Sequence, residues 1–375
     1  MKEIDGISIV VATKGRVKLL EELLVGIQEA RKQYDKPCET ILVDDSNEKE
    51  QAEIVSLCEK YDAHLEAYTN SVAMKRNHGV EIAQYELILF LDSDCRPVPE
   101  ILKLHESYYV EDTVGAVAGP LEFVGDENRF WKCVRLTPYL ICFKMPYWGE
   151  TVPWGATANF SVRRSVYLEV GGFSEAFPNK PGGEDVDLGL LITEAGYRIM
   201  SAPKAVVYHA KETWSQKKQM YRRAWYYGAA DYYLVDRHPK MVCSAVPKRT
   251  VIAFWACLAI IVLAVLKSPL LLLGIPLWIL ADIGSMSAIM SRIGFEKSTF
   301  FQQWTVQKMI IVNELGYVIK CLSKGKPSYI DRQIIYFDNQ LKGSMTNSHV
   351  TFWRTLICTV TFLLLFCIVK LCGLL

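Results

Sequence analysis

The sequence predicts an α/β domain on an open, mostly parallel sheet, followed by C-terminal transmembrane helices. Three observations carry this expectation. Continuous apolar runs alternate with amphipathic helical patterns in the first part, carboxylates stand at the ends of those runs, and from residue 251 the composition turns apolar. The 375 residues hold 42 Lys+Arg against 41 Asp+Glu, a net charge of +1. That balance lacks the long-range pull of a basic nucleic-acid binder, and no nucleic-acid partner is expected. With 51% hydrophobic residues, disorder and a small disulfide scaffold are excluded.

The first strand is expected over Ile7–Ala12, the next over Ile41–Val43 and a third over Leu87–Leu91. Continuous rather than alternating apolar runs mark strands buried on both faces of a parallel sheet. Between them, Val17–Ala30 places Leu20, Leu23, Leu24 and Ile27 on one helical face, and Glu50–Tyr61 does the same with Ile54, Leu57 and Cys58. A βαβαβ start of this kind binds ligands at the carboxyl ends of its strands. Further strands are expected at Gly115–Gly119 and within Arg198–His209. The aromatic stretch Phe130–Trp154 lacks periodicity and reads as an irregular lobe, and Trp214–Leu234 reads as a helix.

Val251–Leu266 is uncharged, Lys267-Ser268-Pro269 breaks it, and Leu270–Met290 is interrupted only by Asp282. Together they predict a transmembrane hairpin, with the first helix reaching back toward Pro247 to approach the about 20 residues that a span needs. Thr355–Leu375 predicts a third span. Nine Lys and Arg lie between Arg292 and Arg354 against Lys267 alone at the hairpin tip. The positive-inside rule then puts residues 1–250 and 292–354 on the cytoplasmic side of a multi-pass cell-membrane protein. Phe300–Leu322 reads as an amphipathic interfacial helix in contact with membrane lipids. Met1–Gly6 carries Lys2, Glu3 and Asp5 and lacks an apolar signal stretch, so the N-terminus is expected to stay in the cytosol. The domain expectation is therefore 1–240 for the α/β domain, 247–290 for the hairpin, 291–350 for a cytoplasmic or interfacial segment and 351–375 for the last span. The 11 cysteines are scattered with no CxxC spacing and are expected as buried thiols, not as a zinc site or disulfides.

Carboxylates recur at the sheet's ligand edge. One run ends in Val43-Asp44-Asp45-Ser46 and another in Asp92-Ser93-Asp94, and Gly182-Gly183-Glu184-Asp185 opens a helix over Leu188–Ala195. One such placement is ordinary turn chemistry; three beside one sheet point to a site. Two carboxylates spaced as Asp92 and Asp94 suit a divalent cation with oxygen ligands, Mg2+ or Mn2+, that bridges to substrate phosphates.

With these motifs the chain resembles the GT-A fold, family 2 glycosyltransferases over about residues 7–210. The resemblance rests on Val11-Ala-Thr13-Lys-Gly-Arg16, Val43-Asp44-Asp45-Ser46, Ala73-Met-Lys-Arg76-Asn77-His-Gly79, Asp92-Ser-Asp94, Asn159-Phe-Ser-Val-Arg-Arg164 with Gly171-Gly172-Phe173, and Gly183-Glu184-Asp185. It implies a GT-A catalytic domain that takes a nucleotide-sugar donor. Thr13, Arg16, Asp44, Asp45, Arg76, Asn77 and Asp92 would line the nucleotide pocket. Asp92 and Asp94 would hold the diphosphate through the metal, with His209 as a further ligand. Asp185 would be the general base, with Glu184 assisting. Processive members carry Gln-x-x-Arg-Trp, whereas this chain has Gln219-Met-Tyr-Arg222-Arg223-Ala-Trp225, so that signature is not met. Arg222 and Arg223 remain candidates for diphosphate or acceptor, and Trp154 for stacking on an acceptor sugar.

The expected reaction is transfer to a hydroxyl of a lipid-linked, polysaccharide or peptide acceptor. One base and no positioned nucleophile imply a single inverting displacement through an oxocarbenium-like state. A sugar nucleotidyltransferase, or a non-catalytic membrane scaffold, is the alternative. Asp185, at a helix N-terminus, is expected to hold a low pKa.

Overall fold

The computed structural model describes residues 3–68, 71–177, 182–244, 248–293 and 296–336, with single positions between 356 and 370. The predicted third span therefore lies, but for those positions, outside the described residues. In chain order the strands and helices are β1 (Ile7–Thr13), α1 (Val17–Arg31), β2 (Cys38–Asp44), α2 (Glu48–Tyr61), β3 (His64–Ala67), α3 (Val72–Ile82), β4 (Leu87–Leu91), β5 (Cys95–Pro97), α4 (Ile101–Glu106), β6 (Val114–Ala118) and β7 (Leu121–Val124). Next come α5 (Trp131–Val134), α6 (Pro138–Ile141), β8 (Asn159–Arg163), α7 (Arg164–Glu169), α8 (Glu184–Glu194), β9 (Arg198–Ser201) and β10 (Val207–Ala210). The remainder is α9 (Lys217–Arg237), β11 (Val242–Ser244), α10 (Arg249–Leu266), α11 (Gly274–Ile293), α12 (Phe300–Ser323) and β12 (Arg332–Ile334).

The chain divides into two compact units. The first comprises 1–127, 138–214 and 336–342; the second comprises 128–137, 215–335 and 343–375. In this division α9 falls in the second unit, where it packs most heavily on α12.

In the first unit a seven-stranded sheet runs β3-β2-β1-β4-β8-β6-β9. β1, β2, β3 and β4 are mutually parallel, as the continuous apolar runs predict. β8 inserts antiparallel to both β4 and β6, so the sheet is mixed and mostly parallel. The expected strand at Arg198–His209 is two strands in different sheets. Pro203 cannot donate to a ladder, and a turn from Ala202 to Ala205 separates β9 from β10. β10 lies between β5 and β7 in a three-stranded sheet, which brings His209 opposite Cys95. The expected Phe130–Trp154 lobe is divided between the units, with 128–137 in the second, and consists of short helical turns.

Behind β8 sits a buried polar cluster. His105 has no exposed surface; its ring nitrogens meet Ser161 Oγ at 2.8 Å and Asn159 Oδ1 at 2.9 Å. Burial pushes the His105 pKa down to about 4, against a small opposing pull from Asn159. The folded chain thus binds this proton less readily than the unfolded chain, whose histidine titrates near ~6.5. Stability from this group is full above that value and lost as pH falls toward 4, at about 1.4 kcal/mol per pH unit. His105→Gln is expected to flatten the stability curve between those limits. Melting temperatures that fall equally steeply in parent and variant would contradict this role.

The second unit is helical. α10 and the segment Pro269–Arg292 are each long and apolar enough to cross a membrane, and the short helical turn Pro269–Leu273 at the start of that segment leads into α11. α10 begins at Arg249, which follows the predicted reach toward Pro247. Arg249 Nε donates to Asp282 Oδ2 at 2.6 Å and Nη1 donates to Gln307 Oε1 at 2.8 Å, tying both hairpin helices to α12. α12 opens on a Thr299–Gln302 capping box. Its stripe of Val306, Met309, Tyr317 and Cys321 is buried within the protein. α12 crosses α9 closely: a Cβ on Gly228 would lie 1.8 Å from the Asn313 carbonyl oxygen, and one on Gly316 would lie 2.2 Å from that of Trp225.

Candidate active site

The candidate residues of the first unit converge where β1, β2 and β4 end, joined by the start of α8 and by β10. Local backbone sets their directions. Arg16, the residue before α1, is left-handed at φ 56°, and its Nη1 donates to Asp94 Oδ2 at 2.7 Å. Gly182 and Gly183 hold φ of 126° and 92°, values that favour glycine. They let the chain turn into α8 with Glu184 and Asp185 as its first residues.

Asp92 and Asp94 do not point at a common partner. Arg76, 4% exposed, donates from Nη2 to Asp92 Oδ1 at 2.8 Å, and its Nη1 lies 3.5 Å from Glu184 Oε1. One guanidinium thus spans the end of β4 and the start of α8. Asp94 instead meets Arg16 and His209, whose Nε2 lies 3.5 Å from Asp94 Oδ1. Burial would raise the Asp94 pKa, but the His209 and Arg16 charges outweigh it and hold the carboxyl below its ordinary value. Ligand atoms of Asp94, Cys95 and His209 lie within 4.8 Å of one another. The carboxylate suits Mg2+ or Mn2+, and the imidazole adds a nitrogen donor to a divalent cation. The buried Ser93 Oγ between the two aspartates has no partner among the described residues. Each aspartate carries an arginine, Asp92 through Arg76 and Asp94 through Arg16, and Asp94 alone of the two lies beside His209.

The expected low pKa of Asp185 is not what the structure gives. Its pKa is pushed up to about 7, first by burial and then by the neighbouring Glu184 charge, with Arg76 and the Val186 N–H pulling the other way. Helix N-terminus stabilisation is present, since Val186 N donates to Asp185 Oδ1 at 2.9 Å, but desolvation beside a like charge is larger.

At the other end of the cluster Asp44 is 1% exposed. Both of its oxygens accept from Ser46, from N at 2.9 Å and from Oγ at 2.6 Å. The outward carboxylate is Asp45. Its Oδ1 accepts from Lys75 Nζ at 2.6 Å and its Oδ2 from Lys14 Nζ at 2.9 Å. Lys75 Nζ also donates to the Thr13 carbonyl at 2.7 Å, while the buried Thr13 Oγ1 has no partner among the described residues.

Other expected site residues sit differently. Asn77 uses its amide inside the fold, donating to the Phe173 carbonyl at 2.9 Å and accepting from Phe173 N and the Tyr167 hydroxyl. Trp154 is no open stacking face: it is 4% exposed, and its indole N–H donates to the Tyr336 carbonyl at 3.1 Å. Arg222 and Arg223 lie on α9 in the second unit, with Arg222 over the Tyr226 ring at 5.5 Å. Sequence reasoning missed Lys75, Lys14, Ser93 and Cys95. The first three lie inside quoted motifs and Cys95 directly follows one, but only the fold reveals what each faces.

A mixed, mostly parallel sheet with acidic residues at its strand ends and a second small sheet carrying a histidine is an α/β fold of GT-A type. Residues 8–171 match the model of Glycosyl transferase family 2. The chain is 29% identical over 199 residues, 52% of this chain, to the pre-mycofactocin glycosyltransferase of Mycobacterium tuberculosis. It is 30% identical over 241 residues, 55% of this chain, to the chondroitin synthase of Escherichia coli. These matches span only 41% and 35% of the relatives' own lengths. In fold, it is similar to a mannosyltransferase from Pyrobaculum calidifontis solved with GDP-Man and Mn2+. The TM-score is 0.53 at 19% identity, covering 84% of this chain and 90% of that one.

Proposed function

We propose that the protein is an inverting glycosyltransferase. It moves a sugar from a nucleotide-sugar donor to a hydroxyl of a lipid-linked, polysaccharide or peptide acceptor at the cytoplasmic face of the cell membrane. The observation that carries this reading is a division of labour among carboxylates in one cluster. Asp94 is held as an anion beside His209, Asp92 is fixed by Arg76, and Asp185 has its pKa raised to about 7.

Asp94 and His209 would hold the divalent cation, Mg2+ or Mn2+, which when bound neutralises charge on the leaving diphosphate. The mannosyltransferase of similar fold binds Mn2+, which supports that cofactor. Arg16 supplies a further positive charge at Asp94. Arg76 keeps Asp92 and Glu184 in place, so that Asp185 sits at the start of α8 with its carboxylate free to take the acceptor's proton. A base with a pKa near the working pH combines availability with driving force. The two apolar helices support anchoring at a membrane, and the excess of Lys and Arg after them supports the cytoplasmic side.

The test is incubation of the full chain with nucleotide sugars and Mn2+ or Mg2+. Release of nucleoside diphosphate supports the reading. Consumption of a nucleoside triphosphate and sugar phosphate with pyrophosphate release would move the protein to the nucleotidyltransferases. For the metal, Asp94→Ala is expected to weaken nucleoside-diphosphate binding by about tenfold or more, and EDTA to do the same to the parent. Calorimetry giving unchanged affinity in both cases would remove the metal role.

A further inference from the structure

We propose that Phe173 is a positioning residue for sugar transfer: Asn77 and Tyr167 grip it, and its ring fixes the plane of the Arg76 guanidinium. The proposal rests on the transferase reading above and extends it to residues one step removed from the carboxylates.

Arg76 and Asn77 are neighbours on α3, and Phe173 meets both side chains. Asn77 holds the backbone. Its Nδ2 donates to the Phe173 carbonyl at 2.9 Å, and its Oδ1 accepts from Phe173 N at 3.0 Å. A side-chain amide that exchanges both bonds with one residue copies a rung of an antiparallel ladder, and so fixes where that residue sits and how it is turned. The Tyr167 hydroxyl donates to the same Asn77 Oδ1 and accepts from Phe173 N at 3.3 Å. Burial pushes the Tyr167 pKa up, so the hydroxyl keeps its proton. The chain reaches this grip through Gly171 and Gly172, at φ 85° and 64°. A Cβ on Gly172 would lie 2.8 Å from a Tyr167 ring carbon, so a larger residue there would push Tyr167 aside.

The ring is held as well as the backbone. Phe173 is 2% exposed. Phe90 and Tyr167 each meet it edge to face, at centroid separations of 5.5 and 5.8 Å and interplanar angles of 68°. The Arg76 Cζ lies 5.5 Å from the same ring. A ring face attracts a guanidinium, the more so where water is excluded. Arg76 has to aim at two carboxylates on different elements, Asp92 Oδ1 at 2.8 Å and Glu184 Oε1 at 3.5 Å. A long side chain gives up much rotamer freedom to do so, and a planar fork reaches both targets in one orientation only. The Phe173 ring selects that orientation; an aliphatic side chain of similar bulk would fill the space and leave the plane free. The effect reaches Asp185. Burial first and then the Glu184 charge raise its pKa, and Arg76 pulls it down.

The experiment compares the parent with Phe173→Leu and Tyr167→Phe, as full chains in detergent with Mn2+. The reaction is hydrolysis of a nucleotide sugar, with water in place of the acceptor. The donor is the one that the parent cleaves fastest in a panel of UDP- and GDP-sugars. Rates are followed from about pH 5 to 9, around the range of the proposed base, and melting temperatures are measured beside them. Phe173→Leu is expected to lower the rate about tenfold and to move the midpoint of the pH–rate curve up by about half a unit, because a guanidinium out of its plane pulls less on Asp185. Tyr167→Phe removes one oxygen and is expected to move the midpoint the same way by less. It decides the matter should Phe173→Leu fail to fold. A lowered melting temperature with an unmoved midpoint assigns Phe173 to packing alone; that overturns the proposal and leaves the transferase reading standing. A parent rate that is flat across the range removes the base, and the positioning role with it. A parent that cleaves none of the donors overturns the transferase reading as well.

Discussion

Asp185→Asn is expected to cut sugar transfer by about 10²-fold or more, the scale of a general base, and to leave nucleoside-diphosphate affinity near that of the parent. The substitution keeps the shape and the bond from Val186 N, which an amide oxygen accepts as well as a carboxylate does. It removes only the proton acceptor. A residue that served as nothing more than a helix cap would tolerate this change, because Asn caps as well as Asp. Turnover within a few-fold of the parent would therefore assign Asp185 to the cap. The raised pKa adds a second readout. The base acts as the anion, so the rate is expected to rise with pH through about 7, by about tenfold per unit on the acidic side. A rate that is flat from pH 5 to 8 would place the base elsewhere.

The second large effect is expected at Arg76. Its guanidinium is the shared partner of Asp92 and Glu184 and packs 5.5 Å from the Phe173 ring. Arg76→Met retains much of the volume but takes from Asp92 and Glu184 their shared, buried cation. Loss of one partner from a buried charge network costs about 3 kcal/mol or more. For a unit of this size that corresponds to a fall in melting temperature of about 10 °C. Arg76→Lys is expected to recover little, because a single ammonium lacks the planar fork that reaches both carboxylates. A melting temperature within two degrees of the parent for Arg76→Met would show that the network contributes little.

The legible part of this protein was the part governed by local pattern. β1, α1, β2, α2 and β4 follow from apolar periodicity because each buries a regular face in the same sheet. The two apolar helices follow from their length and lack of charge, and α12 from its amphipathic pattern. Illegible were the elements whose partners are distant in sequence. β8 is five residues whose direction is decided by neighbours on both sides, and the split between β9 and β10 turns on one proline. At the site, residue types and motif order showed where the chemistry gathers. They did not show that Arg76 claims Asp92, that Ser46 claims Asp44, or that Trp154 is buried under the backbone of residue 336. The Asp185 expectation failed for a related reason. A helix N-terminus can be read from sequence, but the desolvation that outweighs it depends on what packs above.

The crossing of α9 and α12 has a consequence for motion. Side chains normally cushion two helices and let them slide or roll by a few degrees. At Gly228 and Gly316 no cushion exists, and backbone meets backbone on both sides. A slip of one residue along either axis would drive a Tyr or Leu flanking those glycines into the opposing carbonyls. The crossing thus acts as a detent that permits one register only. α9 and α12 must move together as a single strut, and any rearrangement within the second unit has to be taken up by its other helices.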